Sequence, residues 1–164
     1  MRRIIDTNIL KVANKDAPQV LNDPVCILSC VNHLDLIKSN GKIVLDDSWQ
    51  ILSEYLNNLN SNGQPGQGDS FFKWVLNNKD NPLHCELFQI TAEDNNGNFL
   101  EFPADQELQN FDPADRKFVA LSIVSNTCVS TAVDPGWWEH RVALLRNGVQ
   151  VEFLCQNYVE NYHR

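Results

Sequence analysis

The chain has 164 residues, 43% of them apolar and 21% charged, which excludes a disordered or low-complexity chain and suits one domain (residues 1–164) with its own core. Its net charge of -8 at pH 7, from 21 acids against 13 Lys and Arg, excludes a protein that holds nucleic acid through a broad basic surface. The charge leaves open a nuclease whose acids are cancelled by divalent cations, and equally a basic partner.

Near the N-terminus "RIID" is a short apolar run that ends in Asp6. A polar stretch follows. "NDPVCILSCVNHLDLIKSNG" then predicts a helix, with Asp23 as N-cap, Pro24 at its first position and Gly41 past its end. "KIVL" predicts a strand stopping at Asp46-Asp47, and "DSWQILSEYLNNL" a helix with Trp49, Leu52, Leu56 and Leu59 at helical spacing. "NSNGQPGQG" predicts a loop, "DSFFKWVLNN" a short helix with Asp69 as its cap, "HCELFQITAE" a strand and "DNNGN" a turn.

The last third is plainer. "FDPADRKFVALSIVSN" predicts a helix opened by Asp112 and Pro113, and "TCVSTAV" a strand ending in Asp134. "GWWEHRVALLRNG" predicts one helix closed by Gly148, "VQVEFLC" a final strand, and "QNYVENYHR" a polar, aromatic docking tail. Short β-rich runs alternating with helical periodicity predict an α/β domain with a mainly parallel sheet.

No run reaches the roughly 20 apolar residues of a membrane span, and the N-terminus has no secretory signal pattern. The expectation is a cytoplasmic protein with no membrane partner. The five cysteines, Cys26, Cys30, Cys85, Cys128 and Cys155, include no C-x-x-C, so a disulfide framework is not expected in a reducing compartment. Cys26, Cys30 and His33 share one helical face, but no paired motif offers the fourth ligand of a zinc site. Buried thiols and a surface or core histidine are expected instead.

Two predicted strands finish in Asp. In open α/β sheets ligands bind beyond the carboxyl ends of the strands, so parallel neighbours bring Asp6 and Asp134 together. Glu54, within the helix after "KIVLDD", and Asp115, in the first turn after "FDPA", can join them. Like charges within about 4–6 Å oppose one another's ionisation, so such a cluster calls for a cation. Hard, oxygen-seeking Mg²⁺ or Mn²⁺ suits it, and the chemistry such ions serve is phosphodiester hydrolysis.

The order "IIDTN", an acid inside the later helix, "DPADRKFVALS" and "STAVD" resembles the PIN-domain nuclease family over nearly the whole chain. The resemblance implies a three-layer α/β/α sandwich with a mainly parallel five-stranded sheet. It implies a Mg²⁺- or Mn²⁺-dependent endoribonuclease, many relatives being toxins of toxin–antitoxin pairs. By position Asp6, Glu54, Asp115 and Asp134 match the family's catalytic, metal-holding acids. Thr7, Asn8 and Asp112 would support them, Asp112 chiefly as helix cap.

Arg116, Lys117 and Arg141 are candidate phosphate contacts, and Trp137 with Trp138 a candidate base-stacking pair. The candidate partners are RNA or DNA, an antitoxin or other protein, and a second copy of the chain. Two departures stand out: Asp134 is followed by Pro135-Gly136-Trp137-Trp138, and the segment from Asn60 to Asp105 is longer than in compact toxins of the family. The alternatives are a DNA-directed nuclease of the same fold, a non-catalytic PIN-like binding or regulatory module, and a phospho-receiver built on "KIVLDD".

Overall fold

A computed structural model describes residues 1–162. Five strands form one all-parallel sheet: β1 (Arg2–Ile5), β2 (Lys42–Asp46), β3 (Cys85–Phe88), β4 (Val129–Thr131) and β5 (Val151–Phe153), in the order β3-β2-β1-β4-β5. β1 pairs with β2 through Arg2–Lys42 and with β4 through Ile4–Val129. The chain winds outward from β1 to β3, then returns to the other side of β1 for β4 and β5. With right-handed crossovers this reversal places helices on both faces of the sheet. The fold is α/β, a parallel sheet flanked by helices.

Its strands are the β-branched and apolar runs of the sequence; Ile4, Ile5, Ile43, Val44, Leu45 and Val129 are all fully buried. The helices are α1 (Thr7–Ala13), α2 (Pro24–Asn40), α3 (Gln50–Asn58), α4 (Gln67–Asn78), α5 (Arg116–Ser125), α6 (Pro135–Glu139), α7 (Arg141–Arg146) and α8 (Gln156–Asn161). None is long and apolar enough to cross a membrane.

Several expectations need correction. The stretch after Asp6 is the helix α1, whose Ile9, Leu10 and Val12 are fully buried. On α3 the buried side is Ile51, Tyr55 and Leu59, while Leu56 is exposed. In α4 Gly66 is the cap residue and Asp69 the third helical position, its Oδ2 accepting the Gly66 amide. The single helix expected over 136–147 breaks at His140, where the imidazole Nδ1 lies 2.8 Å from the Gly136 carbonyl and backbone ψ is near zero. The tail forms α8, which docks on its own chain through buried Val159; His163 and Arg164 lie outside the described residues.

The cysteine expectation fails for one pair. α8 brings Cys155 against the first turns of α2, and Cys26 and Cys155 form a disulfide across 129 residues. Sequence spacing could not show a pairing made by tertiary return of the chain. Cys30 and Cys85 are buried thiols and Cys128 is half-buried; burial pushes the Cys30 thiol up to about 12. His33 is a buried, core histidine, its Nε2 3.0 Å from Ser130 Oγ, and its burial lowers its pKa.

The long middle segment is held by one carboxylate. Asp69 Oδ1 accepts Asn60 N–H at 2.8 Å and Asn14 Nδ2 at 3.0 Å, pinning the "NGQPGQG" loop to the end of α1. α4 then lies so close to α1 that a Cβ on Gly68 would stand 2.1 Å from the Leu10 carbonyl oxygen. Gly68→Ala is therefore expected to destabilise by roughly 1–3 kcal/mol, the usual cost of overpacking, seen as a lower urea midpoint with unchanged slope.

Candidate active site

The winding reverses between β1 and β4, and at this switch point the carboxyl ends of two parallel strands face the same crevice. Asp6 follows β1 immediately and caps α1. It is 3% exposed. Its Oδ2 accepts Thr131 Oγ1 at 2.8 Å and also Asn8 Nδ2, while Oδ1 accepts the Asn8 amide at 3.3 Å. Asn8 is fixed in turn, because its Oδ1 accepts Ala132 N–H at 2.8 Å. The "DTN" sequence thus joins β1, α1 and the end of β4 in one hydrogen-bonded unit. Thr131 belongs to that unit and was missed; a hydroxyl at the last residue of a strand neighbouring Asp6 was the available signal.

Thr7 serves another acid. Its hydroxyl donates to Glu54 Oε1 at 2.7 Å, bringing α3 to the start of α1. Tyr55, the next residue, donates its buried hydroxyl to the Ile5 carbonyl and so ties α3 to the end of β1. The other Glu54 oxygen, Oε2, is buried, accepts no well-formed hydrogen bond, and meets the Lys117 ammonium as an ion pair. Lys117 also donates to the Ala114 carbonyl and lies 5.1 Å from the Phe118 ring centroid.

Asp115 ends the 3-10 turn Pro113–Asp115 that leads into α5, and it is 9% exposed. Asp112 caps that turn, its Oδ1 accepting the Ala114 amide at 2.9 Å. Asp134 does not end β4, which stops at Thr131. It lies three residues on, as the N-cap of α6, with Oδ1 accepting Gly136 N–H at 2.8 Å.

These four acids feel one another. Burial first, then the charge of Asp134, raises Asp6 to about 7, against the lowering hydrogen bonds of Thr131 and Asn8. Burial, followed by the charges of Asp6, Asp134, Asp112 and Glu54, raises Asp115 to about 9. The structure therefore brings Asp6, Glu54, Asp115 and Asp134 to one place. No three of them, among the described residues, offer oxygens all within 4.8 Å of one another. A cage that encloses an ion with protein ligands alone is not formed; such an opening suits Mg²⁺, which keeps several waters and binds through one or two carboxylates plus phosphate.

The donor set fits a hard divalent cation on two observations. Every candidate ligand is a carboxylate oxygen, and Glu54 Oε2 is buried with a cation as its sole close partner. A cation would also relieve the mutual repulsion that raises Asp6 and Asp115.

Without metal that repulsion has a pH signature. An unfolded Asp titrates near 3.9, whereas folded Asp6 and Asp115 hold protons to about 7 and about 9. Raised folded-state values favour the fold fully below about pH 4 and lose that contribution as pH rises through 7 and 9. The melting temperature of metal-free protein is expected to fall relative to Asp115→Asn between pH 5 and 9. Saturating Mn²⁺ should cancel the fall. Calorimetric scans of both proteins with and without the ion check this.

The expected substrate contacts divide. Lys117 reaches Glu54. Arg116 does not: it donates to Asn98 Oδ1 at 2.7 Å and to the Gln109 carbonyl at 2.8 Å, with its guanidinium 5.0 Å from the Phe102 ring centroid. It braces the turn carrying Asp115 against the segment around Asn98 and Phe102. Arg141 is exposed and lies 4.0 Å from the centroid of Trp138. Trp137 is fully buried against Phe111, so it cannot stack a base; it anchors the helix that follows Asp134. Trp138 is half-buried against Phe153 and Arg141.

Asp46, the acid of the receiver alternative, is fully buried. Its oxygens accept Ser48 Oγ, Gln50 N–H and Ile51 N–H at 2.7, 2.8 and 3.0 Å. It starts α3.

No family model, curated protein or solved structure matches the chain. A function for it rests on the geometry of this crevice and on the resemblance of its motifs.

Proposed function

We propose that the chain is a PIN-like, Mg²⁺- or Mn²⁺-dependent endoribonuclease acting through Asp6, Glu54, Asp115 and Asp134. The observation that carries this reading is the convergence of four acids from β1, α3, the α5 entry and the α6 cap at the sheet's switch point, two of them raised by burial and one another's charge.

Each residue has a task the fold supports. Asn8 and Thr131 fix the Asp6 carboxylate chiefly through Oδ2, leaving Oδ1 only the long 3.3 Å contact to the Asn8 amide. Thr7 orients Glu54. Lys117 neutralises Glu54 in the free protein and is placed to meet a phosphate oxygen when the acids are occupied. A divalent ion held there would supply charge for the phosphate and an acidified water for in-line attack. Attack by such a water would need no covalent intermediate.

The net charge of -8 is unfavourable to RNA, and Arg116 and Arg141 already engage other groups of the chain. Affinity would then come from the ion and Lys117, with a shallow salt dependence. A toxin or defence role, with an antitoxin-like partner, belongs to the same proposal. The test is cleavage of single-stranded and structured RNA, with DNA in parallel, in chelator and in Mg²⁺ or Mn²⁺. Metal-dependent RNA scission is the expected result. Absence of scission together with silent Mn²⁺ titration would favour a binding module.

A further inference from the structure

Away from the acids, the structure holds a second group of metal-ligating side chains. The Sγ atoms of Cys26, Cys30 and Cys155 all lie within 4.8 Å of one another. Cys26 and Cys30 come from successive turns of α2, and Cys155 from the residue before α8. All three are buried, Cys30 fully. We propose that, in the reduced protein, these three thiolates form a zinc site that fastens α8 to α2.

The argument is one of count and distance. A disulfide uses two sulfurs, and the Cys26–Cys155 bond leaves Cys30 against it as an unpaired thiol. A centre that uses three sulfurs gives each a task. Zn–S bonds of about 2.3 Å in tetrahedral geometry set sulfurs roughly 3.8 Å apart, a spacing within the 4.8 Å that holds Cys30 to the other two and open to Cys26 and Cys155 once reduction frees them to rotate apart. Soft thiolates select zinc over the hard ions suited to the carboxylate crevice, so the two sites would not compete. His33, one turn beyond Cys30, is engaged with Ser130. The fourth position is therefore left to a small exogenous ligand. Cys26 sits in the first turn of the 17-residue α2, whose amide end favours negative charge on its sulfur.

The chemistry balances simply. A dithiol reductant gives two electrons and two protons to the Cys26–Cys155 bond, yielding two thiols and its own disulfide. Zn²⁺ then replaces the three thiol protons, which pass to solvent. Oxidation by a disulfide reverses the first step and expels the ion. In a reducing compartment, where disulfides do not persist, the metal would take over the link between α2 and α8.

Cobalt reports this directly. Protein reduced with a phosphine and titrated with Co²⁺ is expected to develop a thiolate-to-cobalt charge-transfer band saturating at one ion per chain. Zinc should abolish the band. Asp6→Asn should keep it, which separates this site from the carboxylate crevice and from the nuclease reading. Cys30→Ser should weaken binding by at least the roughly 10–100-fold that losing a supporting residue costs a metal site, while still forming the Cys26–Cys155 disulfide on oxidation. A reduced wild type that shows no band overturns the proposal, as does an unaltered band in Cys30→Ser. Should Cys30→Ser misfold by circular dichroism, the wild-type band and the response of Cys155→Ser decide the matter.

Discussion

Asp6→Asn is expected to remove metal-dependent RNA cleavage and Mn²⁺ binding at the crevice while leaving the fold intact. The change is small in shape. An asparagine oxygen can stay where Oδ2 accepts Thr131 and Asn8, and what is lost is the 3.3 Å contact to the Asn8 amide, the longest of the set. The change in charge is large. Wild-type Asp6 must ionise inside the crevice above about pH 7, against burial and the charge of Asp134. Asparagine removes that cost.

At pH 8 and without metal, the variant should therefore be more stable than wild type by roughly 1–3 kcal/mol, after allowing about 1 kcal/mol for the weakened cap. In a chain of this size that is a few degrees in melting temperature. With saturating Mn²⁺ the order should reverse, because only wild type gains binding energy. Cleavage should fall by more than the roughly 10–100-fold cost of losing an outer partner of a metal ligand. Scission that survives Asp6→Asn undiminished would remove Asp6, and with it the four-acid reading.

Much of this site was legible in the chain because the forces that place it are local. A strand that ends in Asp puts a carboxylate at the sheet's edge, and "RIID" does that. The Asp112-Pro113 opening of the helix turn, with Asp115 at its end, is legible in the same way, as are α2 and its Asp23-Pro24 start. Glu54 is less so. Its neighbour Tyr55 is buried and Leu56 exposed, so the face it shares is set by how α3 meets β1, which Tyr55 decides through the Ile5 carbonyl.

The unread features are those made by distance along the chain. α1 has only seven residues, too few for a clear helical period although five of them are buried. Cys155 meets Cys26 and Cys30 solely because α8 turns back onto α2. Trp137 and Trp138 are adjacent and chemically alike, yet Phe111 takes the first into the core and leaves the second at the rim beside Arg141. The same holds for "DRK". Arg116 turns toward Asn98 and the loop that carries it, and Lys117 toward Glu54.

That division yields the second large expectation, for Lys117→Met. Methionine keeps an unbranched stem and deletes the ammonium, including its place over the Phe118 ring. Glu54 Oε2 would then be a buried carboxylate oxygen with neither hydrogen bond nor counter-ion. Leaving such a group unsatisfied costs about 1–3 kcal/mol, and metal-free Lys117→Met should lose that much in urea denaturation at pH 8. Mn²⁺ should restore most of the loss, since a divalent ion can take the place of the ammonium. Crevice affinity for Mn²⁺ should rise about tenfold, the equivalent of about 1.4 kcal/mol of repulsion removed. On the proposed mechanism RNA cleavage should nonetheless fall, because the charge assigned to the phosphate would be gone. Tighter metal with slower cleavage separates a working lysine from a surface ion pair, whose removal would leave stability within about 1 kcal/mol and metal affinity untouched.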